Sequence, residues 1–287
     1  MQEYYSADSI RDAHRALRDS EDAEVIAGGQ EVMLDLRRGE MSPTTLVDIS
    51  DVDELCEITH TEDAVRIGAC VTYRDLETDA ELRTAIPYFV EAVEDIAGRQ
   101  VRNYGTLGGA LCDADPVFDM PAVLLTLDAE VTARSGDETR TIPVSGFYTG
   151  HCDTDLAPEE ILTTIDVQKL PPRAGGTYRS MTPRDGDATV AGVAVSLGLD
   201  EAGLCQTARI GLTSAGAIPT RASDAESVLE GTEIADTQID AAVSSLRSNL
   251  DLLPDPLFSR TYRKTVFTRL TAQAIRDVRT QLPGDVE

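Results

Sequence analysis

The sequence is organised around the stretch Asn103-Tyr104-Gly105-Thr106-Leu107-Gly108-Gly109-Ala110. Three glycines fall within five consecutive positions, a density that predicts a tight backbone turn. In such a turn the backbone amides can approach phosphate oxygens, because no side chains hold the anion away. The stretch therefore predicts a tight turn that can hold a diphosphate, with exposed amides and a hydroxyl donor at Thr106.

A second glycine turn lies upstream. The apolar run Val25–Ala27 meets Gly28-Gly29, and a helical pattern begins directly afterwards. For either glycine pair taken alone, a strand-to-helix turn without a ligand is the alternative. The sequence has no Gly-x-Gly-x-x-Gly and no Gly-x-x-x-x-Gly-Lys, which argues against a Rossmann dinucleotide site and a P-loop.

The net charge narrows the classes of partner. The 287 residues include 51 acidic and 25 basic side chains, a formal net charge of −26. Such a field repels nucleic acid and anionic membranes, so neither is expected as a partner. Lysine occurs only at Lys169 and Lys264, the other bases being arginine. We interpret the acidity as adaptation to a salt-rich cell, where screening weakens the self-repulsion.

Localisation and metal content are predicted from what the sequence lacks. It has neither a secretory signal pattern nor an apolar run of the ~20 residues that a membrane span needs, so we expect a cytoplasmic protein. Five scattered cysteines and three distant histidines predict no disulfide framework and no metal held by this chain. The acidic run Asp113–Asp119 departs from a calcium loop at Val117 and Phe118, and predicts a helix start with Pro116 in the first turn.

The pattern of apolar residues predicts an α+β chain with two domains. An opening helix with His14 as a packing residue is expected over Ile10–Leu17, and a longer helix over Ala80–Ala97, restarting near Pro87. Prolines and glycines at Leu170–Gly176 mark the domain boundary. Beyond it, three strands precede three helices, which predicts an antiparallel sheet covered by helices on one face. The strands are expected at Thr177–Met181, Thr189–Leu199 and Cys205–Thr213, and the helices at Thr220–Leu229, Ile234–Asn249 and Ser259–Leu282.

Several segments of the chain resemble those of a known protein family. The segment Arg99–Pro121 is similar to the signature of the xanthine dehydrogenase and carbon monoxide dehydrogenase flavoproteins. The turn Ala27–Glu31 resembles the other FAD-contacting loop of that family. Similarity continues through Ala188–Leu199, Arg209–Gly231 and Tyr262–Ala274, nearly to the end of the chain. Ala110 departs from the pattern, because many relatives have asparagine there.

The resemblance implies a fold and a cofactor site. The implied fold is a two-part FAD-binding domain of the PCMH/vanillyl-alcohol-oxidase-like type over residues 1–170, with subdomains of about 1–55 and 56–170, followed by a C-terminal domain over 176–287. The implied FAD contacts are Val25, Ile26, Ala27, Gly28, Gly29, Gln30, Glu31, Val32, Ile96, Thr106, Leu107, Gly108, Gly109, Ala110, Asp115, Asp119, Leu162 and Arg179. Asp185 and Asp187 resemble a charged turn near the flavin, with ordinary solvated acids as the alternative.

The resemblance also implies a place in an electron-transfer complex. A large subunit would hold the molybdenum cofactor, a small subunit would carry two [2Fe–2S] clusters, and this chain would supply FAD, with no catalytic residue of its own. A dimer of such heterotrimers and an external electron acceptor complete the expectation. The alternatives are a free-standing FAD oxidoreductase with its own substrate pocket, and a scaffold subunit that has lost FAD. The hydroxylated substrate and the acceptor are not identified by the sequence.

Overall fold

The computed structural model describes residues 3–184 and 186–283. The chain forms two compact units, each assembled from three segments. The first unit comprises Met1–Asp79, Ala97–Ala114 and Ala129–Gln168, and the second comprises Ala80–Ile96, Asp115–Asp128 and Lys169–Glu287. The two continuous domains, 1–170 and 176–287, stay a prediction. The two compact units differ from them, because the helical segments 80–96 and 115–128 group with the C-terminal part.

The described strands and helices are the following. The strands are β1 Glu3–Ser6, β2 Ala23–Ile26, β3 Thr45–Asp48, β4 Ile58–His60, β5 Ala64–Gly68, β6 Glu130–Ser135, β7 Glu138–Pro143, β8 Tyr148–Gly150, β9 Asp153–Thr154, β10 Ile161–Gln168, β11 Ala174–Met181, β12 Ala191–Leu199, β13 Cys205–Thr213 and β14 Thr220–Arg221. The helices are α1 Ile10–Asp19, α2 Val32–Arg38, α3 Tyr73–Thr78, α4 Ala80–Ala85, α5 Pro87–Asp95, α6 Arg99–Arg102, α7 Leu107–Asp113, α8 Met120–Thr126, α9 Val144–Phe147, α10 Ser223–Leu229, α11 Asp236–Asn249 and α12 Arg260–Gln281, with a 3-10 helix at Asp53–Leu55.

The first unit begins with a small parallel sheet in the order β1-β3-β2. Helix α1 follows β1, and the Ser9 hydroxyl caps it by accepting a hydrogen bond from the amide of Asp12 at 3.2 Å. The predicted opening helix is thus confirmed. His14 is buried, with its Nε2 atom 3.1 Å from the Ser135 hydroxyl, as expected for a packing residue.

The rest of the first unit is built on a five-stranded antiparallel sheet. Its order is β4-β5-β10-β6-β7, so the late strand β10 lies at its centre. Alternating buried positions such as Ile161, Ile165 and Val167 in β10 place apolar side chains in the interior. The chain leaves β5 at Gly68, and the residues that follow it support the site described below.

The second unit contains the antiparallel sheet β11-β12-β13-β14. The antiparallel order is confirmed, but the prediction of helices on one face is wrong. In β12, Val193 and Val195 pack in the core formed with α10, α11 and α12. Their neighbours along the strand, Ala194 and Ser196, are buried as well. Since successive side chains point to opposite faces, both faces are covered, and α5 and α8 supply the second layer.

Two local predictions in the second unit need correction, and a third is confirmed. The predicted boundary Leu170–Gly176 is partly strand, since β11 already begins at Ala174. A Cβ atom at Gly176 would stand 2.4 Å from the ring of Tyr88, so this glycine serves close helix-sheet packing. The first predicted C-terminal helix begins only at Ser223, because Thr220 and Arg221 form the edge strand β14. The predicted restart of the helix near Pro87 is confirmed by α4 and α5.

Candidate functional site

The first glycine turn lies at the carboxyl end of a parallel strand. Strand β2 ends at Ile26 and α2 begins at Val32, so Ala27–Glu31 forms the connection. Gly29 has a φ of 65°, in the left-handed region that glycine adopts without steric cost. In open sheets with parallel strands, ligands bind outside this end of the strands. The turn therefore has the backbone shape and the position of a binding loop.

The amides of the first turn are available to a ligand. Within the described part of the chain, the backbone N–H groups of Gly28, Gly29 and Gln30 have no acceptor. The side-chain amide of Gln30 donates to the carbonyl of Gly28 at 3.0 Å and so stabilises the turn. Backbone donors are seldom left without a partner, and an anion such as a phosphate satisfies several at once.

The second glycine turn uses its amides differently from the prediction. The amide of Leu107 donates to the carbonyl of Val71 at 3.1 Å, and the amide of Gly108 donates to that of Ala69 at 3.0 Å. These donors are therefore not exposed to a ligand, and the expectation of exposed amides at both turns is wrong for Leu107 and Gly108. The physical reason is docking of this turn onto the segment after β5, where a Cβ atom at Gly108 would lie 2.6 Å from the Ala69 carbonyl oxygen.

Thr106 contributes a hydroxyl at the second turn. It is the N-cap of α7, and its Oγ1 atom accepts a hydrogen bond from the amide of Gly109 at 3.0 Å. Within the described residues the hydroxyl hydrogen of Thr106 has no acceptor. Gly109 is exposed and Ala110 is half-buried, so this end of the turn remains accessible. The hydroxyl, rather than the two buried amides, is the donor that this turn can offer.

The two glycine turns lie side by side. A Cβ atom at Gly28 would stand 1.8 Å from the carbonyl oxygen of Tyr104 and 3.1 Å from the Cα atom of Gly105. Only glycine permits this approach, because any side chain would overlap the backbone of the second turn. Two segments that are far apart in the chain thus lie against each other in the first unit.

The other candidate residues of the first unit differ in accessibility. Val25 and Val32 are half-buried at the two ends of the first turn, and Ile26 is buried. Leu162 lies in the central strand β10 and is 3% exposed, next to an irregularity in the pairing with β6. Leu162 is therefore a buried residue of the sheet, and its contact with FAD stays a prediction.

In the second unit, Asp119 is part of a buried hydrogen-bonded cluster. The Tyr178 hydroxyl donates to the Asp119 carboxylate, and Thr189 also bonds it. Burial raises the pKa of Asp119, and these two hydrogen bonds offset part of the effect. The helix predicted to start at Pro116 begins instead at Met120, because the preceding residues form turns and Asp119 points its side chain to Tyr178 rather than capping the helix.

The remaining candidates of the second unit have local partners. The Asp115 carboxylate accepts a hydrogen bond from the amide of Val117 at 3.0 Å, in a short turn of the chain. The Arg179 guanidinium pairs with Asp277 at 2.7 Å, and Ile96 is a half-buried residue at the end of α5. Asp187 is exposed, and Asp185 lies outside the described residues.

Sequence reasoning missed Tyr178 and the space that it needs. A Cβ atom at Gly192 would stand 2.2 Å from the Tyr178 hydroxyl oxygen, so Gly192 makes room for the hydroxyl that bonds Asp119. No motif marks this pair. Its only signal is a glycine inside a strongly apolar strand, which indicates close approach of another group.

Comparison with known proteins identifies the class of this chain. A family described as the FAD binding domain in molybdopterin dehydrogenase matches residues 1–169, and one described as the CO dehydrogenase flavoprotein C-terminal domain matches residues 176–278. The 6-hydroxypseudooxynicotine dehydrogenase complex subunit alpha of Paenarthrobacter nicotinovorans is 34% identical over 96% of this chain and 95% of its own. The carbon monoxide dehydrogenase medium chain of Afipia carboxidovorans is 33% identical over 84% of each.

Structural similarity leads to the same class. A carbon monoxide dehydrogenase from Hydrogenophaga pseudoflava, which lacks the Mo-pyranopterin moiety of its cofactor, superposes with a TM-score of 0.94 at 27% identity, covering 98% of each chain. Fold and glycine turns thus define an FAD-binding flavoprotein component of an oxidoreductase. More particularly, the chain belongs to the FAD-binding medium subunits of the xanthine dehydrogenase and carbon monoxide dehydrogenase family of molybdenum hydroxylases.

These similarities confirm the predicted family, the fold class, the oxidoreductase class and the FAD cofactor. Among the described residues, no helix combines the length and the apolar character that crossing a bilayer requires.

Proposed function

We propose that this chain holds FAD within a molybdenum hydroxylase complex and passes electrons from the [2Fe–2S] clusters of a partner subunit to an external acceptor. The observation that carries the proposal is the contact between Gly28 and the Tyr104 carbonyl, which aligns the two glycine turns. When bound, FAD supplies a ring that takes up electrons singly or in pairs. The task of the protein is to bind, orient and shield that cofactor.

The first turn is the proposed diphosphate site. Three backbone N–H groups, those of Gly28, Gly29 and Gln30, supply neutral donors to the phosphate oxygens. Neutral donors suit this chain, because its 51 acidic residues outnumber its 25 basic ones. An anion held by backbone dipoles does not depend on a basic side chain that neighbouring carboxylates would compete for. The role of Val25–Val32 is therefore to present the turn.

The second turn is the proposed support of the first. Thr106 donates its hydroxyl to the cofactor, while the bonded amides of Leu107 and Gly108 hold the turn against Ala69 and Val71. Gly109 and Ala110 leave the surface open, since neither has a long side chain. Backbone contact at this turn does not require the asparagine that many relatives have in place of Ala110.

Asp119 is the proposed side-chain partner of the cofactor in the second unit. Its carboxyl group is held by Tyr178, so only the remaining capacity of its two oxygens can serve a ligand. Ile96, Asp115, Leu162 and Arg179 are kept as candidate FAD contacts. The Arg179 guanidinium already pairs with Asp277, so it would have to contact the cofactor and this carboxylate at the same time.

The assembly and its setting extend the proposal. The partners are a large subunit with the molybdenum cofactor and a small subunit with [2Fe–2S] clusters, in a dimer of heterotrimers in the cytoplasm. The net charge of −26 and the scarcity of lysine support an origin in a salt-adapted organism. The proposed domains are 1–170 and 176–287, close to the two ranges matched by the family descriptions.

The test is cofactor binding followed by electron uptake. The chain is purified in molar salt, titrated with FAD and monitored by flavin absorbance, then mixed with the co-expressed partner subunits and a reducing substrate. We expect the chain to bind FAD stoichiometrically. We expect the bound flavin to be reduced only when the partner subunits are present. Flavin reduction by substrate without partners would favour a free-standing oxidoreductase. Failure of both the native and the refolded chain to take up FAD would indicate a scaffold subunit.

A further inference from the structure

Large apolar side chains are exposed beside the two glycine turns. Among the described residues of the first unit, four such side chains are exposed. Three of them, Met33, Leu34 and Tyr104, directly follow the first turn or belong to the second. Tyr104 is 65% exposed and Met33 is 40% exposed. Single exposed apolar residues are ordinary, but several at one place are typical of a binding site.

Met33 and Tyr104 lie against the glycine pair of the first turn. The amide of Met33 donates to the carbonyl of Gly29 at 3.3 Å, and a Cβ atom at Gly29 would stand 3.4 Å from the Cγ atom of Met33. The backbone carbonyl of Tyr104 lies against Gly28. Because Gly28 and Gly29 are adjacent, Met33 and Tyr104 flank the turn that has the unpartnered amides. We refer to Met33 and Tyr104 as the apolar pair.

The side chain of Tyr104 is unoccupied by other contacts of its kind. Within the described part of the chain, its hydroxyl forms no hydrogen bond and its ring stacks on no other ring. Large rings are scarce in this protein, which has 8 tyrosines, 5 phenylalanines and no tryptophan. A tyrosine ring in water beside a binding turn loses its exposed apolar surface only when a ligand covers it. Tyr104 therefore has the chemistry and the position of a ligand-binding residue.

We propose that the apolar pair binds the adenine ring of FAD, an inference that rests on the proposed function. The diphosphate of FAD links its adenosine half to its riboflavin half, so a turn that holds the diphosphate needs a surface for the adenine close by. The ring of Tyr104 stacks on the adenine, and the flexible thioether side chain of Met33 packs against it. The apolar pair thereby favours FAD over flavin mononucleotide, which has no adenine.

The available donors favour adenine over the flavin ring as the occupant. Hydrogen bonds and charges around the flavin ring tune its electronic properties. The apolar pair offers no backbone donor for that purpose, because the amide of Met33 bonds the carbonyl of Gly29 and the amide of Tyr104 bonds that of Val101 at 3.1 Å. Adenine needs no such donor, since stacking acts through the π-face that every base has.

The extent of the apolar surface favours a nucleobase over a partner protein. Helix α2 has no buried residue, and after Leu36 it continues with the exposed residues Arg37 and Arg38, which Gly39 and Glu40 follow. A stable protein contact covers about 800 Å² on each partner. A surface of two or three apolar side chains is small for such a contact and sufficient for one planar ring.

The test measures binding of ADP and of FAD to the purified, deflavinated full chain in molar salt. ADP contains the adenosine and the diphosphate but no flavin. The proteins compared are the wild type, Tyr104→Ala, Tyr104→Phe, Met33→Ala and Tyr4→Ala. Tyr4 is the matched control, because it is 61% exposed in strand β1 of the same unit. Calorimetry gives the ADP affinity, flavin fluorescence gives the FAD affinity, and the unfolding midpoint shows that each variant folds.

We expect ADP to compete with FAD for the wild-type chain. Tyr104→Ala should weaken the binding of ADP and of FAD by the same factor of about tenfold, since the stacking contact is lost from both. Met33→Ala should weaken both by about threefold. Tyr104→Phe retains the ring and should bind as the wild type does, and so should Tyr4→Ala.

Three outcomes would overturn the proposal while leaving the proposed function intact. The first is ADP and FAD affinities that are unchanged in Tyr104→Ala. The second is FAD binding that is weakened while ADP binding is unchanged, which would assign the apolar pair to the flavin half. The third is a wild-type chain that binds FAD but not ADP. A wild-type chain that takes up no FAD would instead contradict the proposed function on which this inference rests.

Discussion

The carbonyl oxygen of Tyr104 lies against the α-carbon of Gly28, 1.8 Å from the position of a Cβ atom at that residue. The contact joins the first turn, which has the unpartnered amides, to the second turn, which is held by Ala69 and Val71. The cofactor site proposed for the first unit is therefore formed by backbone atoms. The close approach of the two turns depends on the absence of a side chain at Gly28.

Gly28→Ala should abolish stoichiometric FAD binding. The added methyl group overlaps backbone atoms that cannot move without displacing the second turn, and we expect a loss of about 1–3 kcal/mol or more in the free energy of unfolding. FAD titration and chemical denaturation measure the two effects. Gly146→Ala is the control, because a Cβ atom there meets nothing within 4 Å. Normal FAD affinity in Gly28→Ala would contradict the proposed geometry of the site.

Thr106 should have two separable effects. Thr106→Ala removes the cap of α7 and should lower stability by about 0.5–2 kcal/mol, while also weakening FAD binding through loss of the hydroxyl. Thr106→Ser retains a hydroxyl and should restore most of both. Equal FAD affinity in the alanine and serine variants would limit Thr106 to capping.

Asp119 should make stability depend on pH. Because burial raises the pKa of Asp119 above its ordinary 3.8, its contribution is complete below that value and is lost as pH rises through the higher pKa of the folded state. Asp119→Asn does not titrate, so its stability relative to the wild type should increase over this window. Urea denaturation of both proteins from pH 3.5 upward measures the difference, in which the effects of other acids cancel. A difference that does not change with pH would contradict the raised pKa.

Arg263 should be the most sensitive arginine of the second unit. It is 4% exposed and donates to the carbonyls of Val190 at 3.2 Å and Leu253 at 2.8 Å, and also to that of Ser214. Arg263→Met leaves these acceptors without their donor and should lower the free energy of unfolding by about 3 kcal/mol. Arg269→Met, at an exposed position of the same helix, should change it by less than about 0.5 kcal/mol in the isolated chain. Similar values for the two variants would show that Arg263 does not hold these segments.

Stability should increase with salt. At a net charge of −26, raising potassium chloride from 0.1 M to 2 M shortens the Debye length to a few ångströms, ~3 Å at 1 M, and should raise the unfolding midpoint. Sucrose at equal osmolality is the control, because it favours compact states without screening charge. An equal effect of both cosolutes would mean that charge repulsion is not the cause.

The match between prediction and structure depends on the range of the interactions concerned. Local patterns were sufficient for α1 and for the restart of the helix at Pro87, because helical periodicity and the effect of proline act within a few residues. They were insufficient for Gly176, whose partner Tyr88 is far away in the chain. Glycines that predict a linker by composition can equally serve close packing inside a strand.

The sequence alone determined the family, the two glycine turns and the antiparallel order of the C-terminal strands, since each is encoded in contiguous residues. Only the tertiary structure decided that the amides of Leu107 and Gly108 are already bonded, that both faces of the second sheet are covered and that Tyr178 holds Asp119. These facts depend on which distant segments meet. A hydrogen bond or a close contact is a property of two positions in space, and the order of residues along one segment does not contain it.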